Sequence, residues 1–220
     1  MTRMLMSSLV LVMFPLTASA GETTVTFQEG VGGYAGTADT QLNSADFDVS
    51  FGDAHLVAID GVSGGLVDGV CDVDQSQFSC PDQGLLRFDA IFGSAENQIP
   101  LGSTIVSATL SVESSSAGGV TTDIHTMLQE WFENDTWDDW DAGIQADDLE
   151  ALEDPDDLLG PVSLGVVTVD VTSSLQAWSD GDPNYGWVFL PGDNSNDGWV
   201  FFSSEEDTVS SDETQGGCLF

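Results

Sequence analysis

Lysine is missing from this sequence, and apart from two histidines its 220 residues hold only two basic side chains, Arg3 and Arg87, against 38 aspartates and glutamates. The formal net charge is −36. A surface of nearly pure carboxylate repels phosphate backbones and anionic headgroups within a Debye length, so nucleic acid and membrane surfaces are poor partners, and neither nucleic-acid binding nor membrane insertion is expected. Such self-repulsion disfavours a compact chain in dilute salt and is relieved by screening or divalent cations, so a saline or calcium-bearing setting is expected. Three cysteines and two histidines offer no zinc-ligand spacing. No apolar run reaches membrane-spanning length.

What is present begins with a leader. Met1 to Ala20 has a positive start at Arg3, an apolar run from Leu9 to Phe14 and a small-residue end, Ala18-Ser19-Ala20. This is the pattern of a secretory signal peptide, residues 1–20, cleaved before Gly21, and it predicts a secreted or cell-surface product. The remainder, about 200 residues, suffices for one domain burying roughly 70% of its unfolded surface. Abundant glycine and few long helical patterns predict an all-β domain. Cys71 and Cys80 bracket a short polar segment of an exported chain, which predicts a local disulfide worth roughly 2–3 kcal/mol. Cys218 is left over as a free thiol, an intermolecular link or an alternative partner.

Gly84 to Asp89, GLLRFD, carries the one basic side chain other than histidine that outlasts the leader. On a strand, Arg87 and Asp89 share a face with Leu85, opposite Leu86 and Phe88. An arginine is almost never buried without a partner, so this strand is read as pinned by an ion pair, with a ligand-binding arginine as the alternative.

Elsewhere, Thr23 to Phe27 and Ala54 to Ile59 read as strands. Val106, Ala108, Leu110 and Val112 alternate with Ser107, Thr109 and Ser111 as a half-buried strand, and Gly118-Gly119 turns it into an expected hairpin partner, Val120 to Leu128. Residues 129–160 form a long acidic loop with Trp131, Trp137 and Trp140 among carboxylates, and short helical turns are expected around Leu149 and Leu152. Val167 to Val171 is a further strand, leading into a short helix from about Ser173 to Trp178 with Ser173 and Gln176 as a capping box and Gly181 as its stop. Gly186 to Leu190 and Trp199 to Ser203 are expected to pair as a hairpin across PGDNSNDG, with Trp187 and Trp199 as a cross-strand or core pair. Residues 206–220 form an irregular tail or a truncated final strand.

This series resembles the DNRLRE domain, also grouped as carbohydrate-binding module family 96. The motifs are Leu85 to Phe88, Ser107 to Leu110, Trp131 with Glu133, Thr136-Trp137, Asp170 to Thr172 with Ala177-Trp178, Gly181 with Asn184 and Gly186, and Ser203 to Glu205. They occur in the family's order and span most of residues 21–205. The resemblance implies a jelly-roll-type β-sandwich on secreted or surface proteins, often attached to polysaccharide-active enzymes. It also places Ser203 to Glu205 beside the arginine strand, so Glu205 is the first expected partner of Arg87 and Asp89 the second. The family's usual final strand after this motif is not recognisable here.

The expected function is carbohydrate binding without catalysis, or alternatively a structural adhesion module. Sugar binding needs an exposed aromatic face, and Trp137 and Trp140 in the acidic loop are the candidates, unless they fold back as a lid over the sandwich edge. Calcium is the ion to consider, with Asp135, Asp138, Asp139 and Asp141 as candidate ligands. The alternations Asp193, Ser195, Asp197 and Asp180, Asp182, Asn184 imitate calcium loops and read better as turns. No cofactor is required. A neutral polysaccharide is the expected partner, or an acidic one bridged by calcium. His55 and His125 lack a nucleophile elbow, and with 38 acids the spacing of carboxylates carries no signal for hydrolysis.

Overall fold

A computed structural model describes residues 8–14, 23–61, 80–192 and 197–205, the first of these stretches by its backbone. It is an all-β sandwich of two antiparallel sheets with a single α-helix among the described residues. The first sheet contains β1 (Ser8–Phe14), β2 (Thr23–Gln28), β4 (Leu56–Ile59), β6 (Thr104–Ser114), β9 (Gly165–Asp170) and β11 (Trp199–Phe202), in the order β2-β1-β6-β11-β4 with β9 also paired to β6. The second runs β3 (Thr37–Asn43), β5 (Asp82–Phe88), β10 (Trp187–Pro191), β7 (Thr122–Thr126) and β8 (Asp157–Leu159). The apolar run of the expected leader is thus a strand of the first sheet in the uncleaved chain.

Alternation explains β6. Ala108, Leu110 and Val112 point into the core, while Thr109, Ser111 and Glu113 stay partly exposed. Near its start the register against β1 slips between Val12 and Met13, so Ile105 is buried and Val106, expected inside, is 43% exposed. β5 and β10 are apolar on both faces. Leu86, Phe88, Trp187 and Phe189 meet the first sheet, whereas Leu85 and Val188 join a second cluster with Leu42, Met127, Trp131, Trp137, Trp140 and Ile144. The acidic loop is therefore a third layer on the outer face of the second sheet.

Two expected hairpins are instead crossings between sheets. β7 follows Gly118-Gly119 but pairs with β10 and β8, not with β6. β10 pairs with β5 and β7, while β11 pairs with β4 and β6. The reason is that each of these strands carries large apolar residues that need the opposite sheet: Phe189 meets Trp199 and Phe201 edge-on or tilted across the core, at centroid distances of 6.3 and 5.5 Å. Trp187 meets Trp178 at 4.8 Å, so Trp187 and Trp199 are both core residues in separate contacts.

The helix α1 (Thr172–Asp180) buries Leu175 and Trp178 and ends at Gly181 in the left-handed region. The expected capping box does not form. Gln176 instead accepts the Ile105 N–H at 2.8 Å and donates to Ser103, tying the helix to β6, while Asp170 accepts the N–H and hydroxyl of Thr172 at 2.9 and 2.6 Å. Around Leu149 and Leu152 there is no helix: Leu149 ends a turn and Ala151 forms isolated bridges with Met127 and Ala146. Cys80 is disulfide-bonded; Cys71 and Cys218 lie outside the described residues, as do residues 193–196 of one calcium-like alternation and the tail 206–220. Asp182 and Asn184 of the other alternation serve a turn: Asn184 donates to the Phe88 carbonyl at 2.8 Å and accepts from Gly186 at 3.1 Å.

Gly186 has φ +72°, and a Cβ there would strike the Leu86 carbonyl oxygen and lie 2.8 Å from the Arg87 Cα. Gly186→Ala is expected to cost about 2–4 kcal/mol, from the left-handed backbone plus overpacking. A urea midpoint unchanged from that of the parent would show that β5 can move aside.

Candidate functional site

The site is built on Arg87, which β5 presents to the outer face of the second sheet. Its Nε donates to Asp89 Oδ1 at 2.7 Å and its Nη2 to Oδ2 at 3.2 Å, a bidentate pair. Nη1 donates to the Trp131 carbonyl at 2.9 Å, and the guanidinium carbon lies 4.9 Å from the centroid of the Trp131 ring. Asp89, two residues on and on the same face, occupies the fork that Glu205 was expected to fill.

Glu205 sits on a different neighbour. At the end of β11, Ser204 donates its N–H to Asp39 Oδ2 at 2.8 Å and its hydroxyl to Glu205 Oε1 at 3.0 Å. Asp39 is 1% exposed, and burial, joined by the charge of Glu205 and opposed by the Ser204 N–H, pushes its carboxyl up to about 8. Burial also raises Glu133; the Asp39 N–H at 3.4 Å and the Arg87 charge pull the other way.

Beside Arg87 and Glu133 lies a cleft of about 480 Å³, lined by Gly36, Thr37, Ser50, Gly52, Asp53, Asp89, Phe132 and Asn134 among others. Its wall is firm. Ser50 donates to the Glu133 carbonyl at 3.1 Å, and a Cβ on Gly52 would overlap the Glu133 backbone. Phe132 stands at this cleft with 54% of its surface exposed. Trp131 turns inward to cover β5 and β10, so its neighbour turns outward. Sequence reasoning passed over Phe132; the signal was its place between an inward tryptophan and Glu133. Asp39 had none, since it lies in the polar run TADTQLN.

Trp137 and Trp140 do not form a sugar platform. They are 2% and 8% exposed, because a 3-10 turn (Trp137–Trp140) sets residues three apart on one side and Asp138 and Asp139 toward solvent. Their alternative reading, a lid, matches the third layer described above. The four carboxylates proposed for calcium also do other work or stand apart. Asp135 accepts the Phe132 N–H at 3.1 Å and Asp139 the Thr136 N–H at 2.8 Å, while Asp138 and Asp141 are exposed. Among the described residues no three acidic, histidine or cysteine side chains are grouped to hold a metal ion. His125 is buried and bonded to the Leu152 carbonyl at 2.7 Å, and His55 is exposed beside Glu205.

A second, more apolar cleft of about 510 Å³ lies between α1 and the ends of β7 and the acidic loop, walled by Met127, Leu128, Leu152, Trp178 and Tyr185. Asp156 in its wall is raised by burial and accepts the Thr126 hydroxyl at 2.6 Å. No protein-family model matches the chain, and no curated protein matches it.

Proposed function

We propose that this chain is an exported, non-catalytic carbohydrate-binding module that holds a neutral glycan in the cleft beside Arg87. The observation that carries this reading is Phe132, a large aromatic ring more than half exposed at the edge of a cleft lined mainly by polar groups. A pyranose has one face of C–H groups, which an aromatic ring covers, and a rim of hydroxyls that Ser50, Asp53, Glu133 and Asn134 can meet. Arg87 offers a uronate carboxylate little, because Asp89 neutralises it and holds its Nε–Nη2 edge, and the Trp131 carbonyl takes a third donor of its five N–H groups. An acidic glycan therefore needs a bridging divalent cation against so negative a surface.

Affinity electrophoresis through immobilised polysaccharides, followed by calorimetry on the retained species, tests the reading. Phe132→Ala is expected to weaken binding by about 0.5–1.5 kcal/mol, roughly two- to tenfold, with no change in thermal midpoint. Binding of the neutral glycan is expected to survive chelation, and any binding of alginate or pectin to vanish with it. No retention by any polysaccharide would favour the alternative, a structural adhesion module.

A further inference from the structure

Asn134 opens the triplet Asn134-Asp135-Thr136, the one place in the sequence where serine or threonine follows an asparagine by two with a residue other than proline between. In an exported chain this triplet is the acceptor for N-linked oligosaccharide, and only a surface loop can carry so bulky a group. The acidic loop supplies one. The Asp135 N–H bonds to the Phe132 carbonyl at 2.9 Å, closing a β-turn with Glu133 and Asn134 at its corner, and Asn134 is exposed there. Asp135 in return accepts the Phe132 N–H at 3.1 Å, and the turn hangs between two buried tryptophans, Trp131 and Trp137. The acceptor amide is thus held out by a turn anchored at both ends. Thr136 follows in extended backbone, φ −115° and ψ 168°, its hydroxyl donating to Asp139 at 2.9 Å.

Phe132 stands two residues before Asn134, and both side chains line the same cleft. A sugar joined to Asn134 starts in the space that this ring borders, and its face of C–H groups is the kind of surface that covers an aromatic ring 54% exposed. We propose that the exported chain carries an N-linked oligosaccharide on Asn134, with the first pyranose seated on Phe132 in the cleft beside Arg87. Transfer breaks the bond from the sugar C1 to the diphosphate of a polyprenol-linked oligosaccharide donor and forms a bond from C1 to Asn134 Nδ2. The lipid diphosphate leaves, one amide proton passes to base, and nothing is oxidised or reduced. Transfer presupposes the export reading given above. It also regulates the proposed binding: the attached sugar competes for Phe132 at an effective concentration on the order of millimolar, so the unmodified form is the one that takes up free polysaccharide.

The test starts from the protein as its own cells export it. Intact mass fixes the N-terminus, and peptide mapping locates added sugar. A chain lacking the leader should carry whole sugar residues on the peptide that contains Asn134, and they should be lost in Asn134→Gln and in Thr136→Ala, which keeps the asparagine. The modified form should melt about 2–4 °C above the Asn134→Gln form, and Phe132→Ala should close that gap while leaving the midpoint of the unmodified form unchanged. Against any polysaccharide that the unmodified chain retains, the modified form should bind about tenfold more weakly or less. Only this last measurement depends on the binding proposed above; mass and melting stand without it. A chain lacking the leader with Asn134 bare overturns the proposal. Sugar on Asn134 whose thermal gain survives Phe132→Ala overturns the seat on the ring. A protein retaining Met1 overturns it by a different route, through the export reading, and leaves the Arg87 cleft untouched.

Discussion

Urea unfolding followed from pH 4 to pH 8 at constant ionic strength is expected to show stability falling by several kcal/mol as the pH rises. Two carboxyls, the buried Asp39 and the half-buried Asp82, set this direction. Asp39 is pushed up to about 8 and Asp82 to about 7 from an ordinary value of 3.8, in both cases first by burial. For Asp82 the Gln41 amide, donating at 3.0 Å, opposes the shift, while Asp60 and Asp46 add to it. Between those values and the ordinary one the folded chain keeps protons that the unfolded chain has released, so stability is greatest in acid and declines as pH climbs through the window. Above about pH 8 this contribution levels off. Each group is worth on the order of a few kcal/mol, and this is the reverse of common acid denaturation. Asp39→Asn keeps an acceptor for the Ser204 N–H and Asp82→Asn one for Gln41, so each should flatten part of the slope and stabilise the protein at pH 8. High salt should weaken the general repulsion among surface carboxylates but leave the burial component. Stability that is level or rising from pH 4 to pH 8 would sink this account.

Trp131→Ala should cost about 3–5 kcal/mol, the range for removing a large buried aromatic. Trp131 is 0% exposed and its Nε1 donates to the Tyr185 carbonyl at 2.7 Å. Its ring also lies under the Arg87 guanidinium. Truncation opens a cavity between β5, β10 and the acidic loop, leaves the Tyr185 carbonyl without that donor, and removes the ring beneath a partly buried charge. Trp131→Phe keeps a ring and loses the hydrogen bond, so it should cost about 0.5–1.5 kcal/mol from that bond. Chemical denaturation ranks the two variants, and a cost below about 1 kcal/mol for alanine would mean that the third layer is not fixed to the sheet.

The strands that sequence revealed are those with one apolar face. β6, β9 and α1 stand close to where the alternation and the change of period put them. β3 was missed because TADTQLN has no such pattern; Asp39, Thr40 and Gln41 are buried with their polar ends bonded or enclosed, and local periodicity is blind to that. Both expected hairpins failed for one reason: turn residues say that the chain reverses, but not whether it returns to the same sheet. The Arg87 ion pair was legible as a strand-face relation with Asp89, while the family pattern pointed to Glu205. The acidic loop misled most. Its carboxylates implied exposure, yet in the 3-10 turn they occupy only the outer side and the indoles the inner. The clue lay elsewhere, in Leu85 and Val188, which give β5 and β10 an apolar outer face that something had to cover.

The position of Arg87 has a practical consequence for proteolysis. With no lysine anywhere and Arg3 the one other arginine, trypsin has a single point of attack after residue 20, the bond from Arg87 to Phe88. That bond lies at the end of β5, paired to Thr37 and Ala38 of β3, and the side chain that the protease must draw into its pocket is clamped by Asp89 and the Trp131 carbonyl. Cleavage therefore requires this end of β5 to leave β3, its partner at Arg87 and Phe88, and at low protease concentration its rate tracks the population of molecules in which that edge of the second sheet is open. The lone arginine makes the chain its own single-site reporter of how often that edge comes apart.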